Sequence, residues 1–96
     1  MGRNIASKTT GGAKTDVDTN PAAILSALPN RVFVEIQNQS DVTMRLGVGE
    51  AASTTNGVKI APGATYYTER FAASSFSLCT ESGSSKTAYI MPASEV

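Results

Sequence analysis

Segments in which every second residue is apolar constrain the fold of this chain more than any other feature of its sequence. One such segment runs from Arg31 to Gln37 and a second from Val42 to Val48. Because successive side chains of an extended chain point to opposite faces, each segment predicts a strand with one buried face. Turn-forming residues at 38–41 separate the two strands, so we expect a hairpin. The predicted inward residues are Val32, Val34, Ile36, Val42, Met44, Leu46 and Val48.

Turn signals divide the rest of the chain into further short strands. A small polar loop at 49–56 precedes Gly57 and is expected to project from the sheet edge. Pro62-Gly63 occupies the centre of a predicted type II turn, and loop 81–85 is expected to close another hairpin. The predicted later strands are 58–60, 65–71, 72–80 and 87–91, the last closed by Pro92.

Three details of these segments are also predicted. The apolar segment Ala22–Leu28 fits either a strand or one to two helical turns, and we favour the strand. Strand 65–71 carries Tyr66 on one face and Tyr67 on the other, so we expect both faces to be covered. Cys79 lies on the outward face of the next strand and is expected to behave as a buried small hydrophobe.

This pattern predicts an all-β fold, a small antiparallel β-sandwich or barrel with an extended N-terminal arm. We expect residues 1–20 to form the arm and residues 21–96 the antiparallel β domain. A core built from about seventy residues is marginal for a single domain. The single cysteine excludes an internal disulfide, and the lack of histidine disfavours a metal site. We therefore expect stability to come from assembly with other chains.

The arm contains few groups that could order it in isolation. Apart from Met1, its large apolar residues are Ile5 and Val17, too few to build a core. Arg3, Lys8 and Lys14 make its first fourteen residues basic. We expect Arg3, Ile5, Lys8, Lys14 and Val17 to contact a neighbouring chain. The alternative is an arm that folds back on its own domain.

The overall charge excludes some classes of partner. Eight lysine and arginine residues balance eight aspartate and glutamate residues, giving a formal net charge of zero. Such a chain lacks the basic field that concentrates nucleic acid, so we expect no nucleic-acid partner. No apolar run reaches the roughly eighteen residues of a membrane span, and no secretory leader pattern occurs. We expect an unsecreted, soluble protein without a membrane partner.

The residue types that catalysis requires are largely missing. Without histidine, the eleven serines lack the usual base of a hydrolase triad. Lys59 and Lys86 are expected to be solvated rather than paired with a serine. Asp16 and Asp18 supply too few oxygens for calcium, and Cys79 has no activating histidine. We expect no enzyme activity, no catalytic residues, no cofactor and no metal site.

Four motifs occur in an order that resembles a group of small structural proteins of tailed-bacteriophage particles. They are LPNR at Leu28–Arg31, VEIQN at Val34–Asn38, GVG at Gly47–Gly49 and NGVKIAPG at Asn56–Gly63, and the likeness spans residues 22–90. Two departures are the long basic arm and Ala64, which stands where another glycine is common. The resemblance implies a small β-sandwich in the virion, as a head decoration or cement protein or part of a fibre base, and it implies no reaction.

On this resemblance we expect the protein at the capsid surface as a homo-oligomer, with a trimer favoured. Its arm and one sheet face are expected to contact the major capsid protein or another virion structural protein. A tail or neck structural protein of the same fold is one alternative. Another is a virion-displayed carbohydrate- or receptor-binding module with a contact surface of Thr54, Thr55, Tyr66 and Tyr67. A small enzyme is the remaining alternative.

Overall fold

The computed structural model describes residues 8–9 and 11–94, and residues 8 and 9 by their backbone. Within this part of the chain there are strands and turns and no helix. In chain order the strands are β1 (Lys8–Thr9), β2 (Gly12–Val17), β3 (Ala22–Leu25), β4 (Arg31–Asn38), β5 (Met44–Val48), β6 (Val58–Ile60), β7 (Thr65–Thr68), β8 (Phe76–Thr80) and β9 (Lys86–Ser94). The predicted all-β fold is confirmed, and the ambiguous segment Ala22–Leu28 contains the strand β3.

The strands form two antiparallel sheets. In the five-stranded sheet, β9 and β4 are central, β7 is one edge, and β1 and β2 follow each other along the other edge. The four-stranded sheet has the order β3, β8, β5, β6. Pairing is nested, since β2 pairs with β9, β3 with β8, β4 with β7 and β5 with β6. The chain is thus one long hairpin coiled into two facing sheets, the jelly-roll form of β-sandwich.

The core lies between the two sheets and confirms most of the predicted inward positions. As the alternation predicts, the fully buried residues include Val34, Ile36, Met44 and Leu46. The remaining three predicted residues, near strand ends or a register shift, are half-buried, namely Val32, Val42 and Val48. Phe76 and Leu78 of β8 complete the centre of the core. Each large apolar side chain that is fully buried stabilises the fold by roughly 1.5–3 kcal/mol relative to exposure.

The two predicted hairpins at 38–41 and 81–85 are wrong. β4 and β5 lie in different sheets, as do β8 and β9, so both connections cross from one sheet to the other. Alternation reveals which face of a strand is buried, but it does not reveal which strand lies beside it. The consecutive strands β5 and β6 pair directly and form the tip of the nested arrangement.

The connection between β5 and β6 folds back on the sheet instead of projecting as expected. Ala52 is buried, and its N–H donates to Ser77 Oγ at 2.7 Å. The Ser77 hydroxyl in turn donates to the Glu50 carbonyl oxygen at 3.1 Å. Gly47 permits this close approach, because a Cβ there would overlap the same carbonyl oxygen.

The turn between β6 and β7 has the predicted geometry. The Ala64 N–H donates to the Ala61 carbonyl oxygen at 2.9 Å, and Gly63 has a φ of 79°. Both features are those of a type II turn. β7 ends at Thr68, earlier than predicted, whereas β9 continues through Pro92. Pro92 lies opposite the interval between β1 and β2, a position compatible with its missing N–H.

The described part of the predicted arm belongs to the domain. β1 and β2 pair with β9 as an edge of the five-stranded sheet, and Val17 is 2% exposed within the core. For this part of the arm, the structure therefore agrees with the alternative prediction, in which the arm folds back on its own domain. The reason is that β9 offers a free edge and the space between the sheets accommodates Val17. The β domain therefore begins well before residue 21.

A buried asparagine connects the turns at one end of the sandwich. Asn38 Nδ2 donates to the carbonyl oxygens of Val42 and Ile60, at 2.8 Å each. Its Oδ1 accepts a hydrogen bond from the N–H of Ser40 at 3.0 Å. These bonds satisfy a buried polar side chain and hold the start of the β4–β5 connection against β6.

A buried arginine does the same at the other end. Arg31 Nη1 donates to the carbonyl oxygens of Ala72 and Ser74, at 3.0 Å each, and Nη2 donates to that of Ser26 at 2.8 Å. A register shift between Arg31 and Phe33 in the pairing of β4 with β9 interrupts the alternation here. Arg31 is therefore buried, although the predicted inward residue is its neighbour Val32.

Candidate interaction surface

The side of the five-stranded sheet that faces away from the core carries aromatic and polar side chains. Val34 and Ile36 of β4 face the core. Because neighbouring side chains alternate, Phe33, Glu35 and Gln37 face outwards, and all three are half-buried.

The strand register places more aromatic and sulfur-containing side chains beside these residues. Glu35 pairs with Tyr67 of β7 on one side and with Met91 of β9 on the other, and Gln37 pairs with Tyr89 of β9. Opposed residues of an antiparallel sheet have neighbouring side chains. We call this set the outer face: Phe33, Glu35, Gln37, Tyr67, Tyr89 and Met91.

Tyr67 is the most exposed aromatic residue of the outer face, at 51%. Its ring centroid lies 5.5 Å from that of Phe33, with a tilt of 33° between the ring planes, a favourable arrangement for an aromatic pair. Its hydroxyl donates to Glu69 at 2.8 Å. That hydrogen bond, followed by desolvation and by the negative charges of Glu69 and Glu35, raises the pKa of the Tyr67 hydroxyl above its ordinary value.

The turn after β7 adds a further aromatic side chain. Phe71 is 48% exposed, and the Arg70 guanidinium carbon lies 5.4 Å from its ring centroid in a cation–π contact. The expectation that strand 65–71 is covered on both faces is therefore wrong for this chain. Its inner face is covered by the second sheet, whereas the exposed Tyr67 leaves its outer face open.

The residues predicted to contact a neighbouring chain through the arm have different surroundings. Arg3 and Ile5 lie outside the described residues, and Lys8 is described by its backbone. Lys14 is half-buried and forms an ion pair with Asp16 at 3.0 Å. The hydrogen bond from Lys14 lowers the pKa of the Asp16 carboxyl. Val17 is a core residue of its own chain, which removes it from any interface that leaves this fold intact.

The four residues predicted as an alternative contact surface are not brought together on one face. Tyr66 points inwards and packs against the core, whereas Tyr67 points outwards. Thr54 and Thr55 are exposed in the connection between β5 and β6, which belong to the other sheet. Of this set, Tyr67 alone is part of the outer face.

The polar groups considered for catalysis have ordinary structural surroundings. Cys79 is fully buried, and burial raises the pKa of its thiol. Lys86 Nζ donates to Asp41 at 2.8 Å. Among the described residues, no group of three carboxylate or thiol side chains is placed to hold a metal ion. Residues 8–9 and 11–94 contain no helix that is long and apolar enough to cross a membrane.

Sequence reasoning missed Phe33, Tyr89 and Met91 as members of a surface. The alternation places Phe33 on the outward side of its strand, and this local pattern was sufficient to identify it as a surface residue. Tyr89 and Met91 join it only through the pairing of β4 with β9, which are separated by about fifty residues of sequence. That pairing is not visible in any local pattern.

Comparison with known proteins identifies shared architecture. No protein family and no curated protein matches the sequence. A solved chain of Bacillus endospore appendages, described as a family of disulfide-linked pili, is similar over 100% of this chain and 93% of its own, with a TM-score of 0.57 and 8% identity. A de novo designed double-stranded β-helix is similar over 93% of this chain and 100% of its own, with a TM-score of 0.51 and 16% identity. At these identities, the similarity shows a common two-sheet β fold alone.

Proposed function

We propose that this protein is a non-enzymatic structural component of a tailed-phage virion, a head decoration protein that binds the capsid surface through its outer face and its N-terminal arm. The observation that carries the proposal is the outer face, where two exposed tyrosines lie beside a half-buried phenylalanine and a half-buried methionine on one side of the sheet. These residue types are enriched at protein interfaces. The ordered motifs between residues 28 and 63 supply the virion context.

The arm contributes to the same side of the molecule. β1 and β2 form an edge of the five-stranded sheet, next to β9, which carries Tyr89 and Met91. An edge strand offers backbone N–H and C=O groups that a strand of a neighbouring chain can pair with. A partner that covers the outer face can therefore also extend the sheet.

The architecture suits a protein that is displayed in many copies. Jelly rolls recur in viral capsid domains, and the Bacillus appendage chain with the same fold is part of a pilus. Both are assemblies of repeated subunits. These assemblies support a structural role without catalytic turnover. The sequence motifs support the phage context.

Co-sedimentation with phage capsids that lack this protein tests the proposal. We expect the wild-type chain to sediment with capsids and the double variant Phe33→Ala/Tyr67→Ala to bind at least about tenfold more weakly, as for loss of an aromatic anchor. Val58→Ala is the matched control, because Val58 is an exposed apolar residue of the other sheet. Its binding should equal that of the wild type.

Two results would contradict the proposal. Undiminished binding of the double variant would remove the outer face from the interface. Absence of binding to capsids at any concentration would reject the decoration role, and binding to purified tails in the same assay would place the protein in the tail or neck.

A carbohydrate-binding module is a second candidate, favoured by the Tyr67 ring and the carboxylates beside it. The exposed ring can stack on a sugar, and Glu35 and Glu69 can accept hydrogen bonds from its hydroxyls. A glycan array should then give a signal that Tyr67→Ala abolishes and Tyr67→Phe, which keeps the ring, largely preserves. An array without signal excludes this candidate for the glycans tested.

A further inference from the structure

β3 is the end strand of the four-stranded sheet, and two clefts border it. The larger cleft, of about 590 Å³, is lined by residues of and around β3, by the start of β8, and by Glu50 and Ala51. The smaller, of about 320 Å³, is lined by β3 and by residues of β2 and β9 in the opposite sheet. Ala23, Ile24 and Leu25 line both.

The two clefts lie on opposite sides of β3. Ser77 borders the larger one, and its side chain faces away from the core because Phe76 and Leu78 on either side of it face into the core. The smaller cleft opens between the two sheets, since residues of both sheets line it. A strand laid beside β3 would therefore send alternate side chains into the two clefts.

The edge of β3 is suited to such an addition. Among the described strands, β3 pairs with β8 alone, so its other side presents backbone groups to solvent. Strand addition uses such groups for affinity, and pockets for alternate side chains provide specificity. Both requirements meet at this edge.

We propose that the β3 edge binds residues 1–7 of a second copy of the chain, added as a strand. The proposal rests on the assembly role proposed above and names the inserted segment and the site that receives it within the homo-oligomer.

The sequence of residues 1–7 matches the unequal clefts. In an extended conformation its long side chains lie on one side and its short ones on the other. The long ones are Met1, Arg3 and Ile5, with Ser7 as the short residue on their side, and the residues opposite are the short Gly2, Asn4 and Ala6. In the proposed complex the long side chains occupy the cleft of about 590 Å³ and the short ones that of about 320 Å³.

Charge supports the same orientation. Glu50 borders the larger cleft and Lys14 borders the smaller one. Arg3 is therefore attracted to the larger cleft, whereas the charge of Lys14 beside the smaller one is already paired with Asp16.

The position of β1 favours a second copy over the same chain as the source of the segment. β1 pairs with Ala93 and Ser94, at the end of the sheet where β9 finishes. Seven extended residues span about 23 Å, and a segment that keeps the direction of β1 leads away from its own domain. To reach β3 of its own chain, it would have to reverse directly before Lys8.

Sedimentation velocity of the purified full chain over a concentration series tests this proposal. It contains no phage particle, so its outcome is independent of the capsid-binding assay. The variants are a deletion of residues 1–7, the single charge reversals Arg3→Glu and Glu50→Lys, and the two reversals combined. Asp41→Lys is the matched control, because Asp41 is an exposed acid in the β4–β5 connection that lines neither cleft.

We expect the wild type and Asp41→Lys to self-associate and the deletion to be monomeric. Each single charge reversal should weaken self-association by about tenfold, and the combined variant should restore it. A wild-type chain that is monomeric at every concentration overturns the proposal. This outcome is also the one expected if residues 1–7 bind β3 of their own chain. An oligomer that survives the deletion overturns it as well.

Discussion

Arg31 is a buried cation whose hydrogen-bond acceptors are neutral. Its guanidinium donates to three backbone carbonyl oxygens of two connections, and its Nε has no partner among the described residues. Burial lowers the pKa of Arg31 from its ordinary value, yet arginine stays charged in proteins. Its value to the fold is therefore geometric, because a rigid fork of donors fixes the β3–β4 and β7–β8 connections to each other.

Arg31→Met should lower the free energy of unfolding by about 3 kcal/mol, because it leaves three carbonyl oxygens without their donor. Chemical denaturation measures the change. Arg70→Met is the control, since Arg70 is exposed, and should change the free energy by less than about 0.5 kcal/mol. Equal, small effects of both variants would show that the carbonyl oxygens find other donors.

Asp41 and Asp16 are exposed acids that each have one lysine partner. The hydrogen bond from Lys86 lowers the pKa of the Asp41 carboxyl, and the hydrogen bond from Lys14 lowers that of Asp16. A lowered pKa in the folded state contributes stability above the unfolded value of about 3.9, and this contribution is lost as the pH falls through the folded pKa. Exposed pairs contribute little, so the pKa itself is the better measurement.

In the variant Lys86→Met, we expect the pKa of Asp41 to rise towards its ordinary value because its partner is removed. An NMR titration of the side-chain carboxyl carbons reports this directly. Asp16 serves as an internal control in the same sample, since its partner is Lys14. A shift of both acids, or of neither, would contradict the specific pairing of Asp41 with Lys86.

At the scale of the elements, the connection between β5 and β6 shows how one glycine determines the path of a loop. Gly47 lies in β5 opposite Ser77 of β8, and the loop returns over both to bury Ala52. This return covers part of β8 and shapes the wall of the larger cleft at Glu50. Loop position and cleft therefore depend on the missing side chain of Gly47.

Gly47→Ala should destabilise the protein by roughly 1–3 kcal/mol, the range for overpacking a well-packed site. The added Cβ would overlap the Glu50 carbonyl oxygen and approach Ser77 Oγ to 2.6 Å. Gly12→Ala is the matched control, because its added Cβ meets nothing within 4 Å. Thermal and urea unfolding of both variants decide the matter, and a loss no larger in Gly47→Ala than in Gly12→Ala would show that the loop can move aside.

At the scale of the whole molecule, the nested pairing joins the two ends of the chain. β2 pairs with β9, so the five-stranded sheet is completed by segments about seventy residues apart. Pairing of distant segments slows folding, because loop closure costs entropy before the contacts form. It also means that residues 12–17 stabilise the domain rather than extending from it.

Deletion of residues 1–17 should therefore destabilise the domain by more than about 3 kcal/mol, since it uncovers β9 and leaves a cavity at Val17. Deletion of residues 1–7 should leave the free energy of unfolding within about 0.5 kcal/mol of wild type at a concentration where the chain is monomeric. Circular dichroism with denaturant measures both. A stably folded 1–17 deletion would show that the edge strand is dispensable.

The outer face illustrates how far local patterns reach. Alternation places Phe33 outwards and puts Tyr66 and Tyr67 on opposite faces, but it does not decide which of the two tyrosines faces the core. It does not group Tyr67 with Glu35 or Met91, because these neighbours come from strands that pair across the sheet. Which face of its strand each residue occupies thus follows from the local sequence pattern. That these residues lie close together follows only from the pairing of distant strands.

The sequence by itself determined the all-β class, the buried faces of β4 and β5, and the type II turn at 61–64, since each depends on residues a few positions apart. Only the tertiary structure decided that the β4–β5 and β8–β9 connections cross between two sheets, that β1 and β2 join β9, and that Arg31 and Asn38 are buried. The physical reason is that a period of two reports which side of a strand meets the core. Which strand lies beside it follows from hydrogen bonds and packing between segments that only the folded chain brings together.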